Sequence, residues 1–237
     1  MQPQIVVPDA GQHNRDLAGA TRRILTSGAW KKQRVVVVLP AGAMLPARTA
    51  LALWNLVFPP NNGVYRMGAL GMEVGEAYTQ TYRWVLAHPE LAQWEYLLTV
   101  EHDNLPPSDG VLRLIESMEA HPEYTAISGL YWTKGEGGVP QIWGDPEDPV
   151  LNFRPQAPKA DTLQECCGIG MGFALWSLRL LRERRLPDPI FKTVAGASGM
   201  ATQDLYFWGE ARKHGHRCAV DTRVKVGHYD VERDIVW

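Results

Sequence analysis

Two apolar periods take turns along this chain. Residues 34–40 hold an unbroken run, Val35-Val36-Val37-Val38-Leu39, between Arg34 and Pro40. A β-branched run of this kind suits a strand buried on both faces of a parallel sheet. Ala41-Gly42-Ala43 reads as the turn after it. Pro46 then opens a helix with Ala50, Leu53, Trp54 and Val57, since proline is favoured in a first turn. Pro59-Pro60-Asn61-Asn62-Gly63 ends that helix. A second strand is predicted over 64–67, followed by a helix with Tyr78, Tyr82, Val85 and Leu86 that stops at His88-Pro89. A third strand covers 96–100. A third helix covers 108–119, with Leu112, Leu114, Ile115 and Met118, and a fourth strand covers 124–130. This alternation predicts an α/β fold: a mostly parallel sheet with helices on both faces.

The pattern then lapses. Residues 133–161 are rich in Gly, Pro, Asp and Gln, with isolated Trp143 and Phe153. So long an irregular stretch inside a compact protein reads as a binding loop or lid. Order returns over 166–176, read as one strand laced by Gly168, Gly170 and Gly172. A basic helix follows over 177–185, and another over 203–213, which starts at Thr202 and ends at His214-Gly215 with glycine as its cap. The last strand, 217–226, leads into Gly227-His228. Upstream, a helix is expected over 16–27, with Leu17, Ala20, Ile24 and Leu25 on one side. There is no internal repeat and no linker, so 34–237 reads as a single domain and 1–33 as a helical extension.

Composition narrows the classes. A chain of 237 residues is long enough for one large α/β domain. A net charge of -2 and a pI near 6.4 give no basic footprint for binding nucleic acid by charge. Cys166, Cys167 and Cys218 are odd in number and lack CxxC spacing, so they read as buried thiols. No run of about eighteen apolar residues occurs, and the chain reads as soluble and cytoplasmic.

The candidate chemistry follows the third strand. Glu101-His102-Asp103 comes directly after it, and 104–110 then stops the strand and opens a helix. Alternate side chains of a strand share a face, so Glu101 and Asp103 are expected to point together and His102 away. Two carboxylates at the carboxyl end of a parallel strand can hold a divalent cation, with substrate phosphate completing its shell. His214 and His216 form an HxH, but Gly215 separates them into different elements, which argues against a shared metal.

Taken in order, these landmarks resemble the GT-A (Rossmann-like) glycosyltransferases, of the family-2-like kind frequent in bacteria and phages. The resemblance spans about residues 34–228. It rests on the strand ending Leu39-Pro40, on Glu101-His102-Asp103, on Gly168-Ile169-Gly170-Met171-Gly172, on Thr202-Gln203-Asp204 and on Val226-Gly227-His228. It implies that Asp103 and His228, with help from Glu101, ligate Mn2+ or Mg2+. It implies nucleotide-sugar contacts at Pro40, Ala41, Gly42, Glu101, Asp103, Gly168 and Gly170. Asp204 matches the position of the catalytic base of inverting members, with Glu165 as the other acid that could reach the pocket.

The chain departs from the family in three places. Glu101 replaces the first Asp of the DxD motif, Gln203 replaces a Glu, and Ala77-Tyr78-Thr79 stands where Ala-Arg-Asn is common. Arg48, Arg66 or Arg83 could supply the missing cation. Tyr131, Trp132 and Lys134 could stack on a sugar or meet a phosphate. The implied activity is metal-dependent, inverting transfer of a sugar from a nucleoside-diphosphate sugar to an acceptor hydroxyl. A glycan, a protein, a small molecule and a modified DNA base all stay open as acceptors. Two rivals are a nucleotidyltransferase, disfavoured because Pro40-Ala41-Gly42-Ala43-Met44 carries no basic residue, and an inactive sugar- or nucleotide-binding module.

Overall fold

The structure is a computed structural model that describes residues 32–61, 63–196 and 199–237, together with Arg22 and residues 24–26. In chain order the elements are β1 (Val35–Ala41), α1 (Ala47–Trp54), β2 (Val64–Leu70), α2 (Val74–Ala87), β3 (Tyr96–Val100), β4 (Asn104–Leu105), α3 (Gly110–Ala120), β5 (Ala126–Leu130) and β6 (Ile142–Trp143). They continue with β7 (Leu163–Cys166), β8 (Gly168–Ile169), β9 (Phe173–Ser177), α4 (Leu178–Glu183), β10 (Val194–Gly196), β11 (Gly199–Ala201), α5 (Gln203–Ala211), β12 (Cys218–Lys225), β13 (Gly227–Asp230) and β14 (Ile235–Val236).

The central sheet has seven strands in the order β2-β1-β3-β9-β5-β12-β7. Strands β1, β2, β3, β5 and β12 run one way, and β9 and β7 run against them. The sheet is therefore mostly parallel, as the alternation of elements predicts. The valine run shows why it is buried on both sides. Val36 and Val38 pack with Tyr78, Tyr82 and Val85 of α2 and Phe207 and Trp208 of α5. Val35 and Val37 face the other way, towards Leu112 and Ile115 of α3 and Leu56 beyond α1. Each fully buried side chain of this size stabilises the fold by roughly 1.5–3 kcal/mol.

Three expectations change. The segment 166–176 is not one strand. Strand β7 pairs with β12 at the sheet edge, β8 pairs with β6, and β9 inserts between β3 and β5. The chain crosses between these places where Gly170 and Gly172 press against Tyr131 and Asn104. A Cβ on either glycine would lie within 2.5 Å of those side chains. The irregular region is also more built than its composition implies: Trp143 pairs across to Gly168 and bridges to Pro155, and Phe153 packs against a core cluster. The helix over 203–213 is α-helical to Ala211 and tightens to a 3-10 turn over Arg212–His214, and Gly215 at φ +79 ends it as expected. The helix predicted over 16–27, like most of the 1–33 extension, lies outside the described residues apart from Arg22 and residues 24–26, which are helical.

Candidate active site

Strands β1, β2 and β3 end together, at Ala41, Leu70 and Val100. The last two residues of β1, Pro40 and Ala41, and those just past the three ends line a cleft of about 370 Å³: Gly42, Gly71, Met72 and the Glu101-His102-Asp103 motif, with Val74 of α2 and Gln203 of α5. This is the carboxyl edge of the parallel strands, where open α/β sheets bind their ligands.

The motif is a turn, not a continuation of β3. The Asn104 N–H donates to the Glu101 carbonyl at 3.1 Å, and the Glu101 N–H donates to the Gly172 carbonyl at 3.0 Å. Strand alternation therefore stops at Val100. His102 is exposed and lines the same cleft as the two acids, contrary to the expectation that it faces away.

Asp103 is held from the far end of the chain. β13 pairs with β4, so that His228 sits opposite Asn104, and the Tyr229 N–H donates to the Asp103 carbonyl at 2.7 Å. The His228 imidazole lies 3.5 Å by Nε2 from Asp103 Oδ2, and its Nδ1 is 2.7 Å from the Trp132 carbonyl. A carbonyl can only accept, so Nδ1 carries the proton and Nε2 is turned to the carboxylate. The Tyr131 ring meets the imidazole edge-on at 5.7 Å. The Lys134 ammonium pairs with the same oxygen, Asp103 Oδ2. Burial alone would raise the Asp103 pKa, but His228 and Lys134 outweigh it and hold the carboxyl well below the usual carboxylate range.

Glu101 has the opposite surroundings. Its Oε1 accepts from the Tyr78 hydroxyl at 3.4 Å. Burial, then the charges of Asp103 and Asp204, push its pKa up to about 8. Asp204 is buried in the first turn of α5, where its Oδ1 accepts from the Thr202 hydroxyl and from the Leu205 N–H at 2.9 Å. Burial raises its pKa too, against the bonds from Thr202 and Leu205.

Asp103 Oδ2 and His228 Nε2, 3.5 Å apart, are spaced as two ligands of one cation would be once the Lys134 ammonium leaves Oδ2. Metal–oxygen and metal–nitrogen bonds of about 2 Å call for ligand atoms roughly this far apart, and the Nδ1 bond to Trp132 is the outer contact that orients a metal-ligating imidazole. Glu101 does not complete the set. Among the described residues no three His, Cys, Asp or Glu side chains gather to share an ion. Asp103 and His228 would hold a cation only if phosphate oxygens and water completed its shell.

Several other candidates lie elsewhere. Glu165 is tied to Arg217 at 2.6 Å and Tyr124 at 3.2 Å, so it is engaged outside the cleft. Gly168 packs against Phe153 and Leu205, and Gly170 against Tyr131 and Gln141; neither lines the cleft. Arg48 pairs with Asp234, Arg66 stacks on Phe58, and Arg83 pairs with Asp188, so none of the three supplies a cation to the site. His216 is buried between Thr125 and the Arg185 carbonyl, clear of any metal cluster among the described residues. The three cysteines are free and buried, as expected. Two contacts were not foreseen from sequence. Tyr78 stands on the departure from Ala-Arg-Asn and turns its hydroxyl to Glu101. Lys134 meets Asp103 rather than open cleft.

No family model matches the sequence, and no curated protein matches it. Solved structures do match by fold. The chain is similar to A197 from STIV, with a TM-score of 0.59 and 16% identity over 86% of this chain and 93% of that one. It is also similar to GalNAc-T7, solved with UDP, GalNAc and Mn2+, with a TM-score of 0.54 and 12% identity. That match covers 83% of this chain and 44% of GalNAc-T7. The chain has the GT-A fold.

Proposed function

We propose that this protein is a glycosyltransferase that moves a sugar from a nucleoside-diphosphate sugar to an acceptor hydroxyl with inversion. The observation that carries the reading is the meeting of Asp103 with His228 at the carboxyl edge of the sheet, with the buried Asp204 near enough for its charge to be felt at Glu101. The GT-A fold supports it, as does the likeness to GalNAc-T7, solved with UDP, GalNAc and Mn2+.

The donor diphosphate lies along Pro40, Ala41 and Gly42 and meets Asp103. A divalent cation between Asp103 and His228 would neutralise charge that builds on the departing diphosphate. The acceptor hydroxyl must lose its proton as it attacks the anomeric carbon, and the Asp204 carboxylate takes it. Its raised pKa suits that role, because a base works best when its pKa approaches the operating pH. Glu101, whose pKa burial and the neighbouring acids raise in the free protein, lies beside the cation pair and would help hold the donor. The nucleotidyltransferase rival loses ground because the turn after the first strand, Pro40-Ala41-Gly42-Ala43-Met44, carries no basic residue.

A thermal-shift screen tests the reading, with UDP, GDP and their sugars, each with and without Mn2+. A ligand at a hundred times its Kd stabilises the native state by about 2.7 kcal/mol. At least one diphosphate raises the melting temperature, and its sugar is slowly hydrolysed. No shift with any of them refutes the proposal, and binding without hydrolysis or transfer assigns a binding module.

A further inference from the structure

Lys134 holds a position that the proposed reaction needs to be vacated. Its ammonium pairs with Asp103 Oδ2, the oxygen that also faces His228 Nε2 at 3.5 Å. An ammonium and a divalent cation on one carboxylate oxygen repel each other at that range, so each weakens the hold of the other. The Lys134 side chain is 32% exposed and that of Asp103 12%, so the pair sits at the mouth of the site with the lysine outward.

The backbone beneath Lys134 is built to present it. The Thr133 N–H donates to the Val139 carbonyl at 2.9 Å, and the Val139 N–H donates back to Thr133 Oγ1 at 2.9 Å. The Gly138 N–H closes the inner turn on Gly135 at 3.0 Å, with Gly135 and Gly137 in the left-handed region at φ +97 and +75. Lys134 leaves the base of this closed turn. The neighbouring Trp132 carbonyl orients His228, so one short segment controls both partners of Asp103. The lysine stem is flexible and its ammonium is a point charge that suits phosphate.

We propose that Lys134 is an exchangeable counter-ion: it neutralises Asp103 in the free protein and passes its ammonium to the diphosphate when the donor binds. The inference rests on the glycosyltransferase reading and assigns a positioning role within it. Occupation of Asp103 by a divalent cation is then coupled to diphosphate. Without phosphate the lysine competes with the cation. With phosphate the lysine has a better partner, and Asp103 is released.

Calorimetric titration of the full chain tests this, with Mn2+ alone, inorganic pyrophosphate alone, and Mn2+ in saturating pyrophosphate. Lys134→Met binds Mn2+ alone about tenfold more tightly than the wild type, and pyrophosphate alone about tenfold more weakly, the size expected for one charge-assisted hydrogen bond. In the wild type pyrophosphate tightens Mn2+ binding, and in Lys134→Met that coupling shrinks. Lys134→Arg keeps the charge and retains most of the pyrophosphate affinity, which a purely structural role for the turn does not predict. Equal Mn2+ and pyrophosphate affinities in all three proteins overturn the exchange. If nucleoside diphosphates still raise the wild-type melting temperature in that case, the glycosyltransferase reading survives it. Absence of both Mn2+ and diphosphate binding overturns the two together.

Discussion

The cleft has two flanks that are one turn of chain apart and chemically opposed. On one, Asp103 meets Lys134 and His228 and is held ionised well below the ordinary carboxylate range, burial notwithstanding. On the other, burial and then the charges of Asp103 and Asp204 raise the Glu101 pKa to about 8, against the hydrogen bond from Tyr78. Asp204 shares that acidic flank and is raised as well. When environment pushes neighbouring carboxyls apart in pKa, it assigns them different tasks. A carboxylate kept ionised is a partner for cations. Carboxyls whose pKa is raised are better suited to taking up and passing on protons. The motif thus behaves as two sites joined by His102, not as a pair of equivalent ligands.

The largest break in this contrast comes from the acidic flank. Asp204→Asn lowers transfer by at least about a hundredfold if Asp204 is the base. Its melting temperature stays close to wild type, because the amide oxygen still accepts from Leu205. Near-normal turnover in a folded variant assigns Asp204 to the helix start alone and points to transfer without a dedicated base. On the cationic flank, Asp103→Asn removes the charge that pairs with Lys134 and on which a divalent cation would replace it. Mn2+ affinity measured by calorimetry falls by at least about tenfold, the lower end of the loss when even an outer-shell partner of a ligand is removed. An unchanged affinity places the cation elsewhere.

The two flanks also differ in what pH does to them. Glu101 has a folded pKa above its unfolded value, so its contribution to stability is full below about pH 4.5 and is lost as pH rises towards 8. Glu101→Gln removes the group that must ionise. At pH 8 in EDTA the variant is more stable than wild type, the difference fading towards pH 5. Thermal melts across pH 5–8 check this. A constant difference, or a less stable variant, shows that Glu101 is ionised in the folded protein and returns it to the set of cation ligands.

The two flanks were unequally legible. The valine run, the alternation of strand and helix and the acid motif mark the cleft's strand ends directly, because local period reports burial. His228 was reachable only by resemblance, since its place depends on β13 pairing with β4 across most of the chain. Lys134 was seen as a basic residue near the site, but no local pattern ties it to Asp103. The reading of 166–176 failed for a physical reason. A Cβ-free approach of Gly170 and Gly172 to Tyr131 and Asn104 lets the chain break and cross the sheet, and one-dimensional periodicity cannot distinguish that from a continuous strand. Strand alternation failed at His102 for the same kind of reason: the Asn104-to-Glu101 hydrogen bond makes a turn that the apolar pattern does not encode.

The smallest expected effect tests whether the cationic flank is as local as its geometry. Arg48 is a cation of the same sign, reaching Asp234 at 3.0 Å and lying over the Tyr229 ring at 5.6 Å, next to His228 in sequence but turned away from the cleft. Arg48→Ala removes one partly exposed ion pair and costs about 0.5 kcal/mol of stability. Pyrophosphate affinity stays at the wild-type value, in contrast to the roughly tenfold loss in Lys134→Met. A matched loss in Arg48→Ala shows that diphosphate is drawn by the general positive field of this end of the molecule. An unchanged affinity assigns the attraction to the one ammonium that Asp103 holds in place.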